Sequence, residues 1–308
     1  MTKSEQIEEL QELLRDDPEN YRARRELAMI LIDSGFPKEA SQHLVYLITK
    51  FPDDSDLHYN LGIAYEKQNL YNRAKESYLK SIELSPQNYD AIYNLGLVYT
   101  ELKDYDSGID CFLKILEYDN NDSNSYFNLG ICYLKKGDLV KAIEHFQNTI
   151  DINDEDLYAH FYIGNILTEM KEFDGAKEEF RKVLEISPEY SWAYYNLACI
   201  AFEEGDYEQV ALNLDKTLEL NPKDETAYIN YAKLMAKMDF YEDAKTIMEA
   251  AAENCPNKGQ IYYYTAQMAK SYGNTEDYIQ FLNLALENRD TLEFDTDKIM
   301  AELESATE

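Results

Sequence analysis

Apolar residues recur at helical spacing along nearly the whole chain, in paired segments separated by short polar turns. In residues 55–88 the first half carries Leu61, Ala64 and Tyr65 three or four positions apart, and the second half carries Ala74, Tyr78, Ser81 and Ile82. Such spacing places each set on one face of a helix. The polar stretch between the halves often contains glycine, and Gly35, Gly137, Gly205 and Gly273 share one phase. The predicted unit is therefore a helical hairpin. Small residues recur inside both helices: Gly62, Gly96, Gly130 and Gly164, continued as Ala198, Ala232 and Ala266, and in the second helix Ala40, Ala74, Gly108, Ala142, Ala176 and Ala244. Glycine within a helix costs about 1 kcal/mol against alanine, so its recurrence predicts a close helix crossing.

The hairpin repeats on a fixed grid. Six of the seven prolines are Pro18, Pro52, Pro86, Pro188, Pro222 and Pro256, with gaps of 34, 34, 102, 34 and 34 residues; only Pro37 is off phase. Proline cannot continue a helix and marks helix ends. A strict period in this range predicts an all-α solenoid of stacked hairpins. Eight units are legible without insertion or deletion: 21–54, 55–88, 89–122, 123–156, 157–190, 191–224, 225–258 and 259–292. Asn120 and Asp154 stand where the grid expects proline, and Val210 and Tyr278 where it expects a small residue. Residues 1–20 read as an N-terminal capping helix and 293–308 as a C-terminal one, since a stack needs its open ends covered.

The shared core of the units is an aromatic residue, then Asn-Leu-Gly, then Tyr four residues after the Leu, as in YNLGIAY, YNLGLVY and FNLGICY. This pattern closely resembles the tetratricopeptide repeat family. The resemblance implies a right-handed superhelix whose first helices line a concave groove, with the second, fifth, sixth, ninth, twelfth and thirteenth positions of each unit facing inward. It implies no cofactor. Long stacked arrays mostly present surfaces to other macromolecules, so the expected partner is a protein or peptide.

Composition narrows the partner class. The chain has 308 residues and a net charge of −31, from 60 acidic and 29 basic residues. No segment is basic, which argues against nucleic acid and against an anionic membrane surface. No apolar run is long enough to span a bilayer, and no signal peptide is visible, so a cytoplasmic protein is expected. Cys111, Cys132, Cys199 and Cys255 show no paired zinc spacing and read as reduced thiols. No Gly-rich phosphate loop, H-E-x-x-H or G-x-S-x-G motif occurs. His43, His58, His145 and His160 read as structural. The expectation is a non-enzymatic protein.

At the positions that the resemblance turns inward, two ladders emerge. The sixth positions give Asn60, Asn94, Asn128, Tyr162, Asn196 and Asn230; the fifth give Tyr59, Tyr93, Phe127, Phe161 and Tyr195. An Asn amide offers one acceptor and two donors, so a row of them can hold a peptide backbone. The wall is similar in this to the superhelical arm of O-GlcNAc transferases. The other reading is that these Asn residues serve helix packing. Units four to six concentrate aromatic residues at inward positions: Phe127, Asn128, Tyr158, Phe161, Tyr162, Asn165, Trp192, Tyr195, Asn196 and Phe202, seven of them aromatic. Trp192 is the only tryptophan. Aromatic residues are enriched at recognition surfaces, though they can also close up as core. Lys233 and Lys237 are among the bases that offset inward acids. The clamp that the family uses for acidic chaperone tails is not matched: Arg25 and Asn60 fit it, while Met29, Asp90 and Asn94 do not. The expected function is a scaffold that binds an extended partner segment in the groove. The alternatives are a targeting or regulatory subunit of a larger enzyme such as a glycosyltransferase, and a self-assembling scaffold.

Overall fold

A computed structural model describes residues 2–307, which contain eighteen α-helices, one short 3-10 turn and no strand among the described residues. The chain divides into two compact units, residues 1–159 and 160–308. The first holds α1 (Lys3–Asp16) and four hairpins: α2 (Tyr21–Asp33) with α3 (Pro37–Lys50), α4 (Ser55–Glu66) with α5 (Tyr71–Leu84), α6 (Tyr89–Glu101) with α7 (Tyr105–Tyr118), and α8 (Ser123–Lys136) with α9 (Leu139–Ile152). The division falls inside α10 (Leu157–Glu169). The second unit continues with α11 (Phe173–Ile186), then α12 (Ser191–Glu204) with α13 (Tyr207–Leu220), α14 (Glu225–Lys237) with α15 (Tyr241–Asn254), and α16 (Lys258–Tyr272) with α17 (Thr275–Glu287). It ends on α18 (Thr296–Thr307), which packs on α17 and buries Ile299. From α1 to α9 and from α11 to α18 each helix packs against its chain neighbours, as stacked hairpins require, and α10 meets α11 where Phe161 packs on Phe180.

Local chemistry sets the ends of these helices. Asn20, Asp54, Asn88, Asp122, Asp156 and Asp224 sit on one grid just before a first helix, and each accepts a backbone N–H from its first turn. These are N-caps, which satisfy donors that the helix itself cannot. Tyr190 occupies the same grid position before α12 and makes no such bond. At the other end of each first helix, one residue is left-handed in all eight hairpins. Glycine fills it at Gly35, Gly137, Gly205 and Gly273, with φ between 76° and 83°. Asn69, Lys103, Lys171 and Asp239 fill it elsewhere, with φ from 58° to 68°. The following N–H bonds five residues back, as Phe36 to Leu31 and Glu172 to Leu167, a Schellman-type end that reverses the chain.

The glycines in the first helices do more than permit the expected close crossing, which brings the Gly96 carbonyl within 3.3 Å of a Cβ built on Gly108. They do not simply meet an alanine across the crossing; they make room for a ring sixteen residues later. A Cβ built on Gly96, Gly130 or Gly164 would lie 2.8, 2.6 or 2.9 Å from Phe112, Phe146 or Phe180, and one on Gly62 would strike Tyr78. All four rings are fully buried. Where the first helix carries alanine instead, at Ala28, Ala198, Ala232 and Ala266, the residue sixteen later is Leu44, Leu214, Met248 or Leu282, each in the same cluster as its alanine. Every hairpin thus pairs glycine with a ring or alanine with an aliphatic side chain, keeping the interior filled.

Candidate functional site

The asparagine ladder is not uniform. Asn94, Asn128 and Asn230 each donate Nδ2–H to the hydroxyl of the tyrosine one repeat earlier, Tyr59, Tyr93 and Tyr195, at 3.4, 2.9 and 2.6 Å. These three bridge neighbouring repeats, and Asn128 also donates to the Asn124 carbonyl at 2.8 Å. Asn60 and Asn196 instead donate to their own helix, to the carbonyls of Asp56 and Trp192, both at 2.8 Å. The preceding fifth position explains Asn196: Phe161 has no hydroxyl to accept the bond. The Oδ1 of Asn196 receives no hydrogen bond from the described residues.

Phe127, Asn128 and Tyr158 lie in the first unit and Phe161 onward in the second. In the first unit Phe127 is half-buried and packs edge-on to Phe146 at 5.4 Å, as Phe161 does on Phe180 at 6.0 Å, while Tyr158 is 58 % exposed. In the second unit Phe161, Asn165, Trp192, Tyr195 and Asn196 do come together, around an open recess of about 390 Å³. Tyr190 completes its wall. The Tyr190 and Phe161 rings meet edge-on at 5.3 Å, and those of Trp192 and Tyr195 at 5.9 Å. Trp192 remains 48 % exposed. Tyr162 packs edge-on against Phe161 at 6.2 Å and does not line this recess.

A larger recess of about 680 Å³ lies on the other side of Tyr195 and takes in Phe202 and Asn230. Its floor is Ala198, Val210, Leu214 and Leu234, all buried. Lys237 stacks its ammonium over the Phe202 ring at 4.4 Å. Lys171, Phe173 and Cys199 also line it, and sequence reasoning passed over all three, as it passed over Tyr190. Two of these carried a visible signal. Tyr190 breaks a grid of Asp and Asn caps, and Lys171 occupies a turn position that glycine fills elsewhere. Burial pushes the Tyr195 hydroxyl up to about 12, with the neighbouring Cys199 adding to the shift. Burial also raises the Cys199 thiol, so at neutral pH it is protonated and a poor nucleophile.

The histidines sit in separate settings. His160 Nδ1 lies 2.7 Å from Glu179 Oε2, and His43 Nδ1 lies 3.1 Å from Arg24 Nη1. His145 stacks on Tyr133 at 5.1 Å, and His58 Nε2 lies 2.9 Å from the Pro52 carbonyl. Among the described residues no three His, Cys, Asp or Glu side chains gather as metal ligands, and no helix is long and apolar enough to cross a membrane.

Family models described as tetratricopeptide repeat match residues 55–88, 89–155, 157–190, 179–210 and 201–267. The chain belongs to the tetratricopeptide repeat family. Proteins with this fold are typically protein-interaction scaffolds. Among solved structures, MamA (41-end) from Desulfovibrio magneticus RS-1 is 25% identical, with a TM-score of 0.53 over 56% of this chain and 97% of that one. A tetratricopeptide repeat protein from Parabacteroides merdae is 16% identical, with a TM-score of 0.59 over 82% and 99%. Yeast Tom70 is 18% identical, with a TM-score of 0.57 over 94% of this chain and 65% of that one. The last two share the tetratricopeptide fold alone. No curated protein matches the chain.

Proposed function

We propose that this tetratricopeptide repeat protein is a non-enzymatic scaffold that grips an extended segment of a partner protein along the inner positions of its first helices. The observation that carries this reading is the recess around Trp192. A large ring left 48 % exposed beside Phe161, Tyr190 and Tyr195 is unfavourable in water and typical of an interface anchor. Asn196, with a free acceptor, supplies a hydrogen bond to the partner's backbone; Asn165 stands beside it. Asn94, Asn128 and Asn230 use one amide hydrogen to hold neighbouring helices in register, and each keeps its Oδ1 for the partner. In the first unit Asn60 and Tyr158 are the counterparts left available at inward positions.

The partner that co-purifies with the native protein, identified by mass spectrometry, serves as the titrant. Trp192→Ala should weaken its binding by about 2 kcal/mol or more, and Asn196→Ala by roughly 0.5–1.5 kcal/mol. Glu219→Ala, which breaks only an exposed pair with Lys216 on α13, should leave the affinity unchanged. Equal affinity for Trp192→Ala and the unaltered protein would discard the groove reading.

A further inference from the structure

We propose that the larger recess of the second unit receives an aromatic side chain flanked by carboxylates, presented by an extended segment of the partner; this deepens, and rests on, the groove reading above. The floor of the recess is aliphatic and its walls include the Phe173 and Phe202 rings, a lining suited to one large apolar side chain. Its rim carries Lys171, Lys233 and Lys237 against a single carboxylate, Glu203. That balance inverts the rest of the molecule, where acids outnumber bases 60 to 29. All three lysines are exposed, and none forms an ion pair with a described residue. An apolar socket ringed by ammonium groups that carry no ion pair, on a strongly acidic protein, complements a ligand that is apolar at its centre and acidic beside it.

The molecule already holds a segment of this kind against α16, the first helix of its last hairpin. After the 3-10 turn Arg289–Thr291 the chain runs Leu-Glu-Phe-Asp, with Leu292 extended. The Phe294 ring lies 4.9 Å from Tyr263 and 6.4 Å from Tyr264, which share the phases of Tyr195 and Asn196. The Glu293 N–H donates to Gln260 Oε1 at 3.1 Å. Just beyond, the Glu302 carboxylate accepts from Gln267, Tyr278 and Tyr263 at 2.7, 3.0 and 3.2 Å. Gln267 and Lys270, which bound this site, share the phases of Cys199 and Phe202 in the recess. One hairpin thus takes an acid-flanked phenylalanine at the phases of Trp192, Tyr195 and Asn196 and, next to it, a carboxylate at the phases of Tyr195, Cys199 and Val210; the second set lines the larger recess, where it is ringed with lysine.

The test uses the full-length protein and a fluorescein-labelled peptide copying residues 291–297 (TLEFDTD), with binding read by anisotropy at low ionic strength. The peptide should bind. Lys233→Glu combined with Lys237→Glu should weaken it about tenfold or more, since opposed charges become like charges. A peptide with Gln and Asn in place of Glu and Asp should bind comparably weakly and be indifferent to the lysine reversals. The peptide carrying F294A should lose binding. Trp192→Ala, assayed alongside, separates the two readings. If it weakens the peptide while lysine reversal does not, the groove stands and the acid-flanked ligand is overturned. If neither change matters, both fall. No detectable binding of the labelled peptide also overturns the proposal.

Discussion

Tyr190 shows a single residue taken from one role for another. Its grid position supplies an N-cap in six other places, and here the side chain instead packs its ring on Phe161 and walls the Trp192 recess. Tyr190→Asp should therefore cap α12 and raise stability by about 1 kcal/mol, read as an increased denaturation midpoint with unchanged slope. The same substitution should weaken partner binding, because the recess loses a wall. Higher stability with undiminished binding would mean that the ring is not part of the site. At this scale the sequence was legible only in part. Trp192 stood out by being alone, and Phe161, Asn165, Tyr195 and Asn196 followed from their phase. Which asparagine is free did not follow from type or phase. It depends on whether the residue one repeat earlier carries a hydroxyl, a relation between helices far apart in sequence.

The hairpin is the element at which sequence and structure correspond most closely. Turn glycines and the proline grid locate the helices, because each acts through the backbone of its own segment. The partner of each helix glycine was less legible, since ring and glycine lie on different helices. That pairing makes a quantitative prediction. Gly130→Ala drives a Cβ into the Phe146 ring and should cost roughly 1–3 kcal/mol by overpacking. Phe146→Leu alone should cost stability by leaving a cavity. Together they reproduce the alanine–leucine pairing of α12 and α13, so the double substitution should cost less than the sum by about 1 kcal/mol or more. Chemical denaturation of the four proteins completes the cycle. Additive losses would show that the two positions do not share the same space.

Across the whole molecule, charge is unevenly committed. Most carboxylates are solvated, but two in the last hairpins are tied in. Burial pushes Asp277 up, and hydrogen bonds from Lys245 and Tyr241, at 2.9 and 2.7 Å, outweigh it and hold the group below its usual range. Glu302 is depressed in the same way by Gln267, Tyr278 and Tyr263. A carboxylate depressed by folding contributes stability that is fully present above its unfolded value, near ~4, and is lost as pH falls through the folded one. Hydrogen exchange should therefore show α15 to α18 opening first on acidification. Asp277→Asn should lower protection there at neutral pH and flatten its pH dependence. Uniform opening of all helices would contradict this. The lone tryptophan has a spectroscopic consequence as well. Twenty-seven tyrosines are spread along the chain, but red-edge excitation selects Trp192 and no other chromophore. Its emission maximum samples the polarity of one recess in the second unit. A melt followed by that emission traces only the unit that holds Trp192, while circular dichroism averages over both. A mismatch between the two curves would be the optical signature of independent units, obtained without attaching any label.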